Sequence, residues 1–361
     1  MLTDKIQALQ QTGEQPTILV IGDLMIDHYI IGSASRLSPE APVPIVNLKK
    51  ETNTLGGAGN VVQNLVALGA KVMVGGIIGN DVYGTLATTI LNDEGVVTDA
   101  ILTDDNRPTT VKTRVLAGSH QLLRIDRETT GPLSAALQAE LFEKLKPSIT
   151  AVDIVLLSDY NKGLFTPALT QQIIGFANQH NKKVVIDPKG LDYSKYKGAY
   201  LIKPNRKELG EAAKVSNINT LADVQQAAKI IFEQTSTEYI VVTLSEEGMA
   251  VLSELTYKLL PVKATSVFDV TGAGDTVLAT IAYFLSSGFA IDEACELANH
   301  AAAIVIKEIG SATTTIDQIK EHINLCLIGE QSAFTSGKND SSEKNFPAEF
   351  LRNSFIIIED Y

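Results

Sequence analysis

The chain has no tryptophan, only two cysteines and four methionines, and 6% aromatic residues. Cys295 and Cys326 are too few for a disulfide framework. Neither their spacing nor that of His28, His120, His180, His300 and His322 matches a zinc motif, so no histidine is assigned chemistry. Reduced thiols in a cytoplasmic protein are the expected state. Basic residues are also scarce, 30 Lys and Arg against 42 Asp and Glu, for a formal net charge of −12. Nucleic-acid binding rests on clustered cations that release counterions, so a nucleic-acid partner is excluded and any anionic ligand must be gripped locally. No apolar run approaches the roughly 18 residues that span a bilayer. The opening MLTDKIQALQQTGEQP has no charged-then-apolar signal pattern, and no membrane association is expected.

What is present is an ordinary globular composition, 45% hydrophobic and 20% charged over 361 residues, enough for a large core without a metal or disulfide staple. Apolar β-branched runs at 18–22, 72–77, 154–158, 184–187, 200–202 and 240–244 alternate with helical patterns at 60–68, 83–93, 134–144, 167–179 and 221–234. That alternation predicts an α/β fold with a mainly parallel sheet flanked by helices. Ligands in such sheets collect at the carboxyl ends of the strands. Polar residues stand there repeatedly: Asp23 and Asp27, then Ser158, Asp159 and Lys162, then Asp187 and Lys189, then Lys203 and Asn205, then Thr243 and Ser245.

Residues 29–50 and 107–127 break the alternation and read as short antiparallel strands, a small β lid. Its exposed edges predict a homodimer formed by strand pairing. Residues 1–328 read as one domain. From Gly329 the composition turns polar, predicting a linker or tail over 329–361.

The most informative segment is Asp269-Val270-Thr271-Gly272-Ala273-Gly274-Asp275, which opens the apolar helix VLATIAYFLSSG. A glycine turn at a helix mouth presents unpaired N–H groups at the positive end of the dipole, an anion hole. With Gly272, Ala273 and Gly274 supplying the amides and Asp275 a carboxylate, such a mouth can neutralise a phosphoryl group and deprotonate a hydroxyl. Taken alone, the same four residues are equally a plain helix start.

Together with Gly56-Gly57-Ala58-Gly59-Asn60 far upstream, this segment resembles the ribokinase, or PfkB, family of sugar kinases. The resemblance extends over about residues 15–325. The stretches SRLSPEAPVPIV, RPTTVKTRVLAGSHQLLRID, LSDYNKG, VVIDPKG and VTLSEEGM are similar to the heptose 7-phosphate kinase branch. The resemblance implies a ribokinase-like fold, ATP and Mg²⁺ as cofactors, and a sugar phosphate as acceptor, phosphorylated at its anomeric oxygen.

By position it implies Asp275 as the base, and Asp27, Asp23, Gly56, Gly57 and Asn60 as sugar ligands. It implies Asn205 and Glu208 at Mg²⁺, and Thr243, Ser245, Gly248, Thr271 and Asn299 toward the nucleotide. Asp269 stands where some members hold a monovalent cation, and a plain hydrogen-bonding role suits it equally. A distal phosphate needs cations, for which Arg36, Lys112, Arg114, Arg124, Lys162 and Lys189 are candidates; Lys162 and Lys189 are preferred because they follow strand ends, with Asp159 and Asp187 to orient them or touch hydroxyls. Leu244 departs from the arginine that heptose kinases often carry there, removing one phosphate contact. No nucleotidyltransferase motif follows Ile328, so the kinase step alone is expected. The rival readings are another acceptor on the same fold and a catalytically silent sugar- or nucleotide-binding module.

Overall fold

The computed structural model describes residues 2–336 except 119, 263–266, 268 and 309; the tail expected beyond 336 lies outside the described residues. In chain order the elements are α1 (Leu2–Thr12), β1 (Thr17–Gly22), β2 (Leu24–Leu37), β3 (Pro44–Gly57), α2 (Ala58–Ala67), β4 (Lys71–Gly79), α3 (Val82–Asp93), β5 (Val97–Asp104), β6 (Thr110–Ala117) and β7 (His120–Arg127). They continue with α4 (Ala135–Ala151), β8 (Ile154–Ser158), α5 (Pro167–Gln179), β9 (Lys183–Asp187), β10 (Leu201–Ile202), α6 (Arg206–Ala213), α7 (Leu221–Thr235), β11 (Tyr239–Thr243), β12 (Met249–Leu252), β13 (Tyr257–Leu260), α8 (Ala273–Ser286), α9 (Ile291–Val305) and α10 (Ile316–Ser336). Helix α10 thus runs across the boundary at 328 that composition suggested. No helix among the described residues is long and apolar enough to cross a membrane.

Nine strands form one sheet in the order β13-β12-β11-β10-β9-β8-β1-β4-β5. From β11 to β5 every pairing is parallel, while β12 and β13 add an antiparallel edge. Alternate residues of the central strand enter opposite cores, as a period of two requires. Ile18 and Val20 pack with α2, α8 and α9, whereas Leu19 and Ile21 pack with α4, α5, α6 and α7. Burial on both faces explains why these strands read as unbroken apolar runs.

Helix starts follow local chemistry. Ser134, Thr166 and Thr220 accept amide hydrogens from Leu137, Leu169 and Asp223, and Pro167 occupies the first turn of α5, where its missing N–H costs nothing.

The second sheet is the lid, in the order β3-β2-β6-β7. Its strands are longer than expected, since β2 and β3 have 14 residues each, and the central β2–β6 pairing is parallel rather than antiparallel. Two antiparallel pairs lie side by side, and the chain crosses the main sheet between them, which imposes the parallel sense. The base of β2 is buried from Leu24 to His28, whereas β7 is exposed along its whole length.

Candidate active site

Parallel strands bring their carboxyl ends to one edge, and register aligns Gly22, Ser158 and Asp187 in a single row across β1, β8 and β9. Gly22 is confined to glycine there, because a Cβ would lie 2.5 Å from the Ala58 Cβ and 2.6 Å from the Ser158 carbonyl. The loops leaving this row meet the mouth of α8 and the base of the lid.

Asp275 sits at that mouth, buried, with both carboxylate oxygens engaged. Asn60 Nδ2 donates to Oδ2 at 2.6 Å and the Tyr160 hydroxyl donates to Oδ1 at 2.6 Å. Burial pushes the pKa of Asp275 up; the bonds from Tyr160 and Asn60 and the Lys203 ammonium oppose this, and the net direction is upward. A second tie joins the same helices, from the Thr276 hydroxyl to Asn64 Oδ1 at 2.8 Å. Gly272 caps α8 at φ +77°, and a Cβ there would crowd Asn60 Nδ2 to 2.8 Å. The Ala273 amide already donates to the Val270 carbonyl at 3.1 Å, so it is not part of the anion hole that the glycine turn suggested. The amides of Gly274 and Asp275 have no backbone acceptor among the described residues. Thr271, exposed, donates its amide to Asp269 Oδ1 at 2.9 Å, and the Gly310 amide donates to Oδ2.

The sugar-loop candidates converge on the same place. Asp27 pairs with Arg114 Nη1 at 2.5 Å across the parallel β2–β6 register. A Cβ on Gly56 would lie 2.5 Å from Asp27 Oδ2, and one on Gly57, at φ +56°, would lie 2.6 Å from the Asp23 carbonyl. Asp23 accepts the amides of Tyr160 and Lys162 at 2.8 and 3.2 Å, tying the end of β1 to the loop after β8.

Burial first, and then the Asp159 charge, push Asp23 up to about 6 against an ordinary 3.8. A carboxyl raised in the folded state stabilises fully below its unfolded pKa, and that contribution disappears as pH rises through the folded value. Stability measured by urea unfolding should therefore fall between pH 4 and pH 7, by on the order of 3 kcal/mol for this group. Asp23→Asn should remove that share of the slope; an unchanged slope would exclude Asp23 as its source.

Other candidates serve the frame. Asp159 turns to Lys195 Nζ and the Tyr196 hydroxyl, both at 2.6 Å, and is an anchor for that loop rather than an open ligand. Asn205 caps α6 by accepting the Glu208 amide at 2.8 Å, and Glu208 returns an oxygen to the Asn205 amide at 2.9 Å and to Lys189 Nζ. Thr243 ends β11 and bridges to Asn205. Ser245 holds φ +53°, and Gly248 holds φ +95° where a Cβ would lie 2.1 Å from the Leu260 carbonyl. Asn299 is buried and donates Nδ2 to that same carbonyl at 3.0 Å, so it holds the end of β13 in place.

Lys162 pairs with Glu128 at 2.7 Å. Arg124 lies on exposed β7, paired with Asp126 and directly opposite Arg114 in register. Arg36, also among the cation candidates, lies on the exposed outer half of β2.

Three contributors had not been assigned a role: Tyr160, Lys195 and Lys203. Lys203 is buried, lies 3.1 Å from Asp187 Oδ1, and is 3.8 Å from where a Cβ of Gly274 would be. Its signal was position, two residues past Leu201 in a buried strand. Lys195 carried no signal.

A carboxylate fixed between an asparagine and a tyrosine at a helix mouth can accept a proton from a hydroxyl placed beside it. The chain belongs to the pfkB family of carbohydrate kinases, whose model matches residues 15–318. It is a phosphotransferase acting on a sugar hydroxyl. Among its relatives, the bifunctional protein HldE of Sulfurimonas denitrificans is 47% identical over 307 residues, covering 85% of this chain and 64% of that protein. HldE of Wolinella succinogenes is 44% identical over 316 residues, covering 88% and 66%. The chain therefore spans about two thirds of the length of these relatives. The fold is ribokinase-like: Arabidopsis thaliana ribokinase complexed with ribose and ATP superposes with a TM-score of 0.67 at 20% identity, covering 86% of this chain and 99% of that one. Phosphofructokinase-2 from Escherichia coli in complex with potassium gives 0.70 at 18%, covering 87% and 100%.

Proposed function

We propose that the chain transfers the γ-phosphoryl group of ATP to the anomeric hydroxyl of D-glycero-β-D-manno-heptose 7-phosphate, giving the 1,7-bisphosphate used in ADP-heptose synthesis. The observation that carries the kinase chemistry is the Asn60–Asp275–Tyr160 contact, which joins the sugar loop to the helix mouth. The relatedness to the HldE proteins supports the acceptor.

In this reading Asp275 takes the proton from the acceptor hydroxyl, and its raised pKa makes it a stronger base than an exposed carboxylate. Asp27, Gly56 and Gly57 hold the sugar, and the amides of Gly274 and Asp275, with Lys203, face the transferred group. Thr243, Ser245 and Gly248 form the turn toward the ATP phosphates, and Thr271 and Asn299 border the nucleotide. The lid excludes water.

Mg²⁺ fits beside Asp187 and Glu208. Burial pushes Asp187 up, Lys203 holds it down, and the charges of Glu208 and Asp275 raise it again, so three carboxylates share a space with Lys203 and Lys189. When bound, Mg²⁺ would neutralise phosphate oxygens, and Asn205 and Glu208 would hold it through its waters. Asp269, held low against its burial by Thr271 and Gly310, suits a loop near a monovalent cation.

The distal phosphate belongs by Tyr160. Lys112 lies over the Tyr160 ring at 5.8 Å; burial lowers its pKa, Asp27 opposes this, and Lys162 and Arg124 lower it further, so cations crowd one spot. A panel of acceptors under ATP, with product position read by phosphorus NMR, tests the assignment. Lys112→Ala should raise the KM of a 7-phosphorylated acceptor by about tenfold or more and leave an unphosphorylated sugar unaffected. Preference for an acceptor without a distal phosphate would remove the heptose 7-phosphate.

The protein acts in the cytoplasm and pairs as a homodimer through the lid, where Leu122, Leu123 and Ile125 of β7 are 40%, 53% and 52% exposed. Sedimentation showing only monomer at micromolar concentration would rule the dimer out.

A further inference from the structure

Helices α9 and α10 bring together three side chains whose spacing in sequence gave no metal signal. His300 is buried on α9; His322 and Cys326 follow each other one turn apart on α10. His300 Nδ1 and His322 Nδ1 are 2.9 Å apart, His322 Nδ1 and Cys326 Sγ are 3.9 Å apart, and one donor atom from each of the three lies within 4.8 Å of the others. A tetrahedral zinc with Zn–N of about 2.0–2.1 Å and Zn–S of about 2.3 Å has N···N edges of about 3.3 Å and N···S edges of about 3.6 Å. The two separations made by His322 are within about half an ångström of these edges, and the His300–Cys326 edge, bounded at 4.8 Å, closes by a shift of about an ångström or less between the two helices.

We propose that His300, His322 and Cys326 form a Zn²⁺ site that ties α10 to α9, with water in the fourth position.

Chemistry favours zinc among the divalent ions. Two imidazoles and a thiolate are its ordinary ligands, and they exclude magnesium and calcium, which take oxygen. Lys307 lies close enough to His322 for its charge to be felt there. The Lys307 ammonium also repels a cation, and the thiolate formed when Cys326 loses its proton offsets it. The family match ends at residue 318, before His322 and Cys326. Binding would act on how α10 is held, since helix–helix contact there otherwise rests on few apolar side chains such as Ile319 and Ile323.

The test uses the whole chain, stripped with a chelator and titrated with Zn²⁺ against a chromogenic competitor, and separately with Co²⁺. One equivalent of Zn²⁺ is expected, with a sulfur-to-cobalt charge-transfer band and a rise in Tm on adding Zn²⁺. Cys326→Ser should abolish the band, and Cys326→Ser and His322→Gln should each weaken Zn²⁺ by about 100-fold while turnover at saturating substrates stays unchanged. The retained turnover shows that the variants are folded. If the parent protein takes up no Zn²⁺, or if both variants bind within tenfold of the parent, the site does not exist.

Discussion

Asp275→Asn is expected to lower kcat by 10²–10⁴-fold, the usual worth of a positioned general base, with little change in the affinity for ATP. The carboxylate accepts from both Asn60 and Tyr160, so the substitution keeps the shape and removes the proton acceptor. Asparagine offers one oxygen where aspartate offers two. One of the two donors must then rotate, and the phenol can do so at small cost. The fold should survive, because Thr276 still ties α8 to Asn64 at 2.8 Å. Isothermal titration of ATP, together with single-turnover kinetics, separates the effects. A kcat within tenfold of the parent's would take the base role away from Asp275.

Gly56→Ala should damage the acceptor side selectively, raising the KM for sugar by roughly 10–100-fold while the KM for ATP moves less than about threefold. The new methyl would lie 2.5 Å from Asp27 Oδ2 and 2.8 Å from its Cγ, closer than any real contact, so the Asp27 carboxylate must swing away from Arg114. That leaves a cation at the base of the lid with its pairing disturbed and the sugar with a displaced ligand. The backbone of Gly56 has ordinary φ, so steric displacement, not strain, is the cause. Equal rises in both KM values would point instead to a collapsed lid.

Much of the main sheet was legible because buried parallel strands must be apolar on both faces. Residues 154–158 coincide with β8, and 18–22 differ from β1 by a single residue. Among the strands that escaped notice, β12 is apolar and buried throughout but only four residues long, and in two others the rule fails. Burial in β5 alternates irregularly, and β13 is exposed except at Leu260, so neither carries a continuous apolar run. Helix α4 runs to Ala151, past the expected 144, because Pro147 lies near its end and removes only one backbone bond. At the site, the glycine turns and Asp275 announced themselves through backbone chemistry that few residues can perform. Tyr160, by contrast, stood in plain view inside LSDYNKG with nothing local to mark its hydroxyl.

By itself the sequence determined the class of fold, the helix mouth at Gly272–Asp275 and the family, since each rests on residues close in the chain whose conformational or polar demands are local. Only the tertiary structure decided which partners those residues have. Asn60 reaches Asp275 across 215 residues, Arg114 rather than Arg124 meets Asp27, and Asn299 braces a strand end. His300 finds His322 from another helix in the same way. Side-chain partnership depends on how elements pack, and packing is set by the sum of many weak apolar contacts that no short stretch of sequence contains.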